Sequence, residues 1–167
     1  MDKLKRGLQN GASDEGTVHD TFVLERRYPA APVQVFAAFS DPDLKRVWYA
    51  EGAHELLAFE SDLCVGGIER VRYRLTDGPM AGEVVESEGR HEVIVSNRRV
   101  VIAATMSLGG RPISTAVATF ELLPDGAGTR LVFTHQAVFY EGADGPQMRR
   151  TGWETLLDRL GGIFVPA

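Results

Sequence analysis

Pro146-Gln147-Met148-Arg149-Arg150-Thr151-Gly152-Trp153-Glu154-Thr155-Leu156-Leu157-Asp158-Arg159-Leu160 reads as one long amphipathic helix near the end of a strand-rich chain. Met148, Gly152, Trp153, Leu156, Leu157 and Leu160 recur at three- and four-residue spacing, so the helix has an apolar stripe that needs a partner surface. The only large apolar surface the rest of the chain can offer is a sheet. A concave sheet gripping one helix can enclose a cavity, which points to a binder of small molecules.

Composition bounds the alternatives. The chain has 167 residues, 44% of them hydrophobic, which suits one domain burying roughly 70% of the surface its unfolded form exposes. With 18 basic and 23 acidic side chains the net charge is -5, which favours neither a nucleic-acid footprint nor an anionic membrane surface. Residues 1–17 carry glycines, polar residues and the short basic run Lys3 to Arg6, and are expected to form a flexible arm ahead of a single domain over residues 18–167. No secretory leader and no run of about 18 apolar residues is seen. One cysteine, Cys64, allows no internal disulfide. These features predict a cytoplasmic protein.

Val18 to Tyr28 alternates as a strand, with Phe22, Leu24, Arg26 and Tyr28 on one face. Pro32 suits the first position of a short helix whose Val33, Phe36 and Ala37 share a side. A second short helix starts at Asp41 or Pro42 and runs through Leu44, Val47, Trp48 and Tyr49. From Glu55 to Tyr140 about six strand segments follow, separated by turns such as Leu108-Gly109-Gly110, and such short connections imply antiparallel neighbours. The order predicts an α+β fold with helices packed on one face of a curved sheet.

Strand parity separates the faces. Arg70, Arg72 and Arg74 share one side of their strand and are expected in solvent, laddered against Glu86 and Glu88. Counting back from the Gly109-Gly110 turn pairs Ala103 with Ala116 and Thr105 with Ser114, which places Val101, Ala103, Thr105, Ser114, Ala116 and Ala118 inside. A one-residue slip would instead turn Ile102, Met106 and Val117 inward. In the first register those three form an outward apolar patch, which a homodimer would cover.

His135 shares parity with Leu131 and Phe133, and His91 with Val85 and Ser87, so both point inward, where a histidine can orient a ligand or move a proton. His54-Glu55 and His91-Glu92 start like a zinc-protease helix motif but lack its second histidine and lie in strand-like sequence. No cysteine cluster, phosphate loop or nucleophile elbow is present, so no metal, cofactor or catalytic residue is assigned. Cys64 reads as a buried structural thiol.

The runs Glu25-Arg26-Arg27-Tyr28-Pro29-Ala30-Ala31-Pro32-Val33-Gln34-Val35-Phe36, Asp43-Leu44-Lys45-Arg46-Val47-Trp48, Asp62-Leu63-Cys64-Val65-Gly66-Gly67, Gly128-Thr129-Arg130-Leu131 and Gly152-Trp153 resemble the START-like (SRPBCC) superfamily. Within it the chain is similar to homologues of the activator of the heat-shock chaperone ATPase. The resemblance implies a helix-grip fold, in which a seven-stranded antiparallel sheet wraps a C-terminal helix over a cavity for apolar ligands. It carries Trp48, Tyr49, Phe59, Tyr73, Phe120, Phe133, His135, Trp153 and Leu157 over as ligand-binding cavity wall, and it leaves the activity open. A non-catalytic binder of a small, lipid-like or aromatic molecule is the favoured function. The alternatives are a cyclase-like or hydrolase-like enzyme using a cavity histidine, and a chaperone co-factor acting through its surface.

Overall fold

The computed structural model describes residues 16–166, so the expected arm lies almost wholly outside the described residues. Strand β1 (Val18–Tyr28) buries Phe22, Leu24 and Tyr28 and exposes Val23, Glu25 and Arg27, as its alternation requires. Helix α1 (Pro32–Ser40) begins at a proline, which gives up no hydrogen bond in the first turn. Asp41 caps α2 (Pro42–Lys45), its carboxylate accepting the Asp43 N–H at 2.9 Å, and α2 runs on into a π-helical turn, Arg46–Ala50. Six strands follow: β2 (Glu55–Ser61), β3 (Ile68–Arg74), β4 (Val84–Val95), β5 (Arg99–Leu108), β6 (Arg111–Asp125) and β7 (Gly128–Phe139). Helix α3 (Pro146–Gly162) comes last.

The strands form one seven-stranded antiparallel sheet in the order β1-β7-β6-β5-β4-β3-β2. Consecutive strands are neighbours everywhere except β1 and β2, which lie at opposite edges. The segment between them must therefore cross the sheet, and that segment is α1, α2 and the π-helical turn. Bulges in β2 at Leu56/Ala58, in the β4–β5 pair at His91/Val93 and in the β5–β6 pair at Met106/Ser107 bend the strands and curve the sheet. This is the α+β helix-grip architecture: a curved antiparallel sheet around a long C-terminal helix, with two short helices after the first strand.

The main core lies under the C-terminal half of α3. Leu157 and Leu160 meet Leu24, Tyr28, Leu131, Phe133, Phe120 and Leu122 of the sheet, with Val35, Ala38, Phe39 and Trp48 closing it from α1 and the π-helical turn. Tyr28 ties the layers together by donating its hydroxyl to the Leu157 carbonyl at 2.8 Å, and Thr129 donates to the Ala30 carbonyl at 2.7 Å.

Several sequence expectations are corrected here. The buried stripe of α3 is Arg149, Trp153, Leu156, Leu157 and Leu160, whereas Met148 is 66% exposed and Gly152 faces solvent. Both stripes fit helical spacing; the difference is that Arg149 finds a carboxylate partner and so can go inside. Helix α1 buries Val35, Ala38 and Phe39, and Val33 is 58% exposed, because Phe39 packs edge-on against Trp48 and Phe120 and so fixes the helix rotation. Cys64 is exposed in the β2–β3 loop, its thiol 3.4 Å from the Asp62 carboxylate, so it is not a buried structural thiol.

The β5–β6 register differs by one residue from the sequence reading, for an identifiable reason. The hairpin starts as expected, with Leu108 opposite Arg111 and Ser107 opposite Pro112, but Met106 then pairs with Ser114. Ile113 is the extra residue, next to a proline that cannot donate to the ladder. Beyond it Val100, Ile102, Ala104 and Met106 face inward, opposite Phe120, Ala118, Ala116 and Ser114. Val101, Ala103 and Thr105 face outward with Thr119, Val117 and Thr115. The outward apolar patch of Ile102, Met106 and Val117 is therefore not formed, since Ile102 is buried and only Val117 of the three points out, among threonines. The arginine ladder is present: Arg70 meets Glu88 at 2.7 Å and Arg72 meets Glu86 at 3.9 Å, while Arg74 reaches Glu55 instead, also at 3.9 Å.

Because Leu157 is fully buried under α3 and Met148 is not, Leu157→Ala should lower unfolding free energy by about 3 kcal/mol, and Met148→Ala by less than about 0.5 kcal/mol. Urea denaturation of the two variants checks which face of α3 meets the sheet.

Candidate functional site

The register sorts the inner face into ranks running across the strands. One rank is Phe22, His135, Ala118, Ile102 and His91. The next toward the start of α3 is Ala137, Ala116, Ala104, Gly89 and Glu69, and the one after is Phe139, Ser114, Met106, Ser87 and Val71. The middle rank is thus alanine and glycine at its centre, flanked by the carboxylates of Asp20 on β1, opposite Ala137, and Glu69 on β3. Ala104, Ala116 and Ala137 point inward yet remain partly open to solvent, as do Met106 and Tyr73. A side chain at Gly89 would press on the Ala104 Cβ and the Ile102 Cδ1, both at 2.9 Å, so neighbouring side chains already cover that position. Of the small inward residues expected from sequence, Ser114, Ala116 and Ala118 face inward, while on β5 Val101, Ala103 and Thr105 face outward and Val100, Ile102, Ala104 and Met106 line the inner face.

The nine expected wall residues all lie on or above this inner face, but in two groups. Trp48, Phe120, Phe133 and Leu157 are sealed in the core, and the Trp48 indole N–H donates to the Ala38 carbonyl at 2.9 Å. Tyr49, Phe59, Tyr73 and Trp153 are half-buried. Trp153 joins the groups: its ring lies 4.5 Å from Phe133, 5.8 Å from Phe120 and 6.2 Å from Tyr49 between centroids. The ninth, His135, is 2% exposed, stacked on Phe22 at 4.8 Å and 6.3 Å from Trp153.

Both inward histidines are where parity puts them, but their circumstances differ. His91 Nδ1 donates to the Gly67 carbonyl at 3.2 Å and its Nε2 lies 3.6 Å from a Glu69 oxygen. His135 Nδ1 is buried with no hydrogen-bond partner among the described residues. Burial, and secondarily the positive charge of Arg149, push the His135 pKa down to about 4, with Asp144 opposing. Its ring is therefore neutral at physiological pH.

Two buried charged groups were not read as inward from the sequence. Lys45, 4% exposed, places Nζ 3.3 Å from Glu69, itself 4% exposed, and 4.4 to 5.8 Å from the rings of Trp48, Tyr49, Phe39 and Phe120. Burial pushes the Lys45 pKa down, with Glu69 opposing. Burial pushes Glu69 up, but Lys45, His91 and the Ser61 hydroxyl, which donates at 3.1 Å, outweigh it and hold the carboxyl below its ordinary range. The other, Arg149, grips Asp144 through two bonds at 2.8 and 2.7 Å, with its guanidinium 5.1 Å from the Phe139 ring. The helical spacing, Lys45 three residues before Trp48 and Arg149 four before Trp153, was the available signal. The Tyr49 and Tyr73 hydroxyls are pushed up by burial and stay protonated.

The remaining chemistry is plain. The Cys64 thiol is pushed up by its hydrogen bond to Asp62, which disfavours the nucleophilic thiolate. Among the described residues no group of three or more histidine, cysteine or acidic side chains is placed to hold a metal, and no helix is long and apolar enough to cross a membrane.

Comparison with known proteins gives a consistent relationship. The family model described as activator of Hsp90 ATPase homolog 1-like protein matches residues 29–164. The crystal structure of the Mll3558 protein of Rhizobium loti is 36% identical, with a TM-score of 0.78, and the match covers 88% of this chain and 98% of that one. A protein of Rhizobium leguminosarum is 33% identical, with a TM-score of 0.81 over 91% of this chain and 98% of that one. Protein CV1439 of Chromobacterium violaceum, 24% identical over 88% of this chain and 98% of that one, shares the fold with a TM-score of 0.72. No curated protein matches the sequence.

Two outcomes test this site. Glu69→Gln strands the Lys45 ammonium among aromatic rings and should cost about 3–5 kcal/mol of stability, while Lys45→Met should cost less because Glu69 keeps His91 and Ser61. Chemical denaturation of both variants gives the order, and the reverse order would contradict it. The second outcome concerns pH. Between the ordinary 6.5 and about 4, the unfolded chain binds a proton at His135 that the folded chain does not, so stability falls as pH drops through that window. From pH 7 to pH 4 the wild type should lose about 3 kcal/mol more than His135→Gln, read from urea midpoints at each pH.

Proposed function

The chain belongs to the family of activator of Hsp90 ATPase homolog 1-like proteins, and from that premise we propose that it binds a small, largely apolar molecule between the concave face of its sheet and α3. The observation that carries this reading is that Ala137, Ala116 and Ala104 face the concave side of the sheet with small side chains and remain partly open to solvent. In an ordinary core such positions hold branched or aromatic side chains packed to crystal-like density. Here they adjoin the rank of Met106, which is itself partly open to solvent.

The surroundings fit an apolar guest. Trp153 and Met106, both partly open to solvent, offer a ring face and a polarisable thioether, and burial of apolar surface at about 25 cal/mol per Å² supplies the affinity. The polar groups nearby are the Ser87 and Ser114 hydroxyls, His135, Asp20 opposite Ala137, Glu69 already paired with Lys45, and Arg149 already paired with Asp144. A mostly apolar site with a few polar groups is the usual make-up of a small-molecule pocket. The neutral His135 and the protonated tyrosines leave no strong base within the site, which favours binding over proton-transfer catalysis.

A thermal-shift screen against fatty acids, sterols, flavonoids and aromatic polyketides tests the proposal. A ligand at a hundredfold excess over its Kd adds about 2.7 kcal/mol, or roughly 5–10 °C in Tm for a domain of this size. The shift should vanish in Trp153→Ala, each protein being compared with its own unliganded Tm. No shift from any class, or a shift of equal size in the variant, would overturn the proposal.

A further inference from the structure

We propose that the molecule bound on the concave face carries a neutral hydroxyl group that hydrogen-bonds to His135 Nδ1. This rests on the binding reading above and names the chemical class of its ligand.

The argument starts from a contrast within one rank of the sheet. His91 and His135 stand on the same rank, three strands apart, and both are buried. His91 has partners for both ring nitrogens, Gly67 and Glu69. His135 is held on both sides by apolar rings, with Phe22 stacked at 4.8 Å and Phe133 at 6.1 Å, and its Nδ1 has no partner among the described residues. Buried nitrogen atoms are nearly always hydrogen-bonded, so a neutral imidazole with no partner in the chain has the capacity to bond one from outside it. On the sheet His135 adjoins Ala118 directly and lies one rank from Ala116 and Ala137, small inward residues that stay partly open to solvent.

Charge selects the partner. A carboxylate or phosphate head group would need a cation, and on α3 Arg149 is buried and bonded to Asp144 through Nε and Nη2, while Arg150, 5.7 Å from the Phe22 ring, pairs with Glu154 at 3.3 Å. Of the carboxylates nearby, Asp144 is engaged by Arg149 and Glu69 by Lys45, His91 and Ser61, while Asp20 stands opposite Ala137 on β1, one rank from His135. His135 itself, neutral and set among aromatic rings, is matched by a neutral group. A neutral imidazole offers Nδ1 as an acceptor in one tautomer and as a donor in the other, and a hydroxyl can meet either. A ligand with an apolar body and one alcohol or phenol fits both the aromatic lining and the orphan nitrogen.

Equilibrium dialysis at pH 7.5 with 2-naphthol, naphthalene and 2-naphthoate tests this on one common ring system. The expected result is 2-naphthol binding about tenfold more tightly than the other two, the increment of one good hydrogen bond. In His135→Phe the advantage over naphthalene should fall to within about twofold. His135→Gln, which keeps a hydrogen-bonding group, should retain part of the advantage and replaces the phenylalanine variant if that one does not fold. Equal binding of naphthol and naphthalene, tightest binding of naphthoate, or an advantage unchanged in His135→Phe would overturn the inference while leaving the binding reading intact. Failure of all three probes to bind would overturn both.

Discussion

One helix cannot cover the concave face of a seven-stranded sheet, and the rest of this structure follows from that limit. Helix α3 has 17 residues, so it is about 25 Å long and about 10 Å across, against a sheet about 29 Å from edge strand to edge strand. It lies nearest β1 and the π-helical turn. The connection from β1 to β2 must cross the sheet in any case, and the chain uses that crossing to lay α1 and α2 where α3 does not reach. Between them these helices close the core around Leu157, Leu160, Phe39 and Trp48. Toward the start of α3, the sheet meets the remaining space with alanine, glycine and serine.

The buried charges fall into place on the same geometry. The crossing segment brings Lys45 onto the inner face, and a buried ammonium is tolerable only with an anion and polarisable neighbours. Glu69 supplies the anion from β3, four aromatic rings surround the ammonium, and His91 and Ser61 satisfy the carboxylate further. Such a cluster adds little net stability compared with a hydrocarbon core, yet it penalises any arrangement that separates α2 from β3. Arg149 and Asp144 pair within the segment that starts α3, with the Arg149 guanidinium 5.1 Å from the Phe139 ring of β7. The Lys45–Glu69 pair thus ties the crossing segment to the sheet.

Much of this was legible in the sequence because periodicity reports burial directly. The alternation in β1, the arginine ladder on β3, the inward parity of His91 and His135 and the long final helix all required only a period of two or of 3.6. What escaped was whatever breaks a period or reverses a residue's usual preference. The bulge at Ile113 shifts the inner face of β5 from Ala103 and Thr105 to Ala104 and Met106, and nothing in a two-residue turn announces it beyond Pro112. Lys45 and Arg149 sit at helical spacing from Trp48 and Trp153, but a charged side chain is buried only when its partner, distant or just beyond the helix start, is in place. His135 shows the limit of the method: parity gives its direction, while the missing hydrogen bond appears only once its neighbours are placed.

The central claim, that the small-residue half of the concave face receives a ligand, has a direct readout because the strands carry their own control. Ala104, Ala116 and Ala137 point inward, while Ala103 on the same strand as Ala104 points out. Methyl NMR of protein labelled at alanine, titrated with 2-naphthol, should shift the resonances of Ala104, Ala116 and Ala137 and leave Ala103 where it was. Shifts confined to Ala103, or spread evenly over both faces, would contradict the claim.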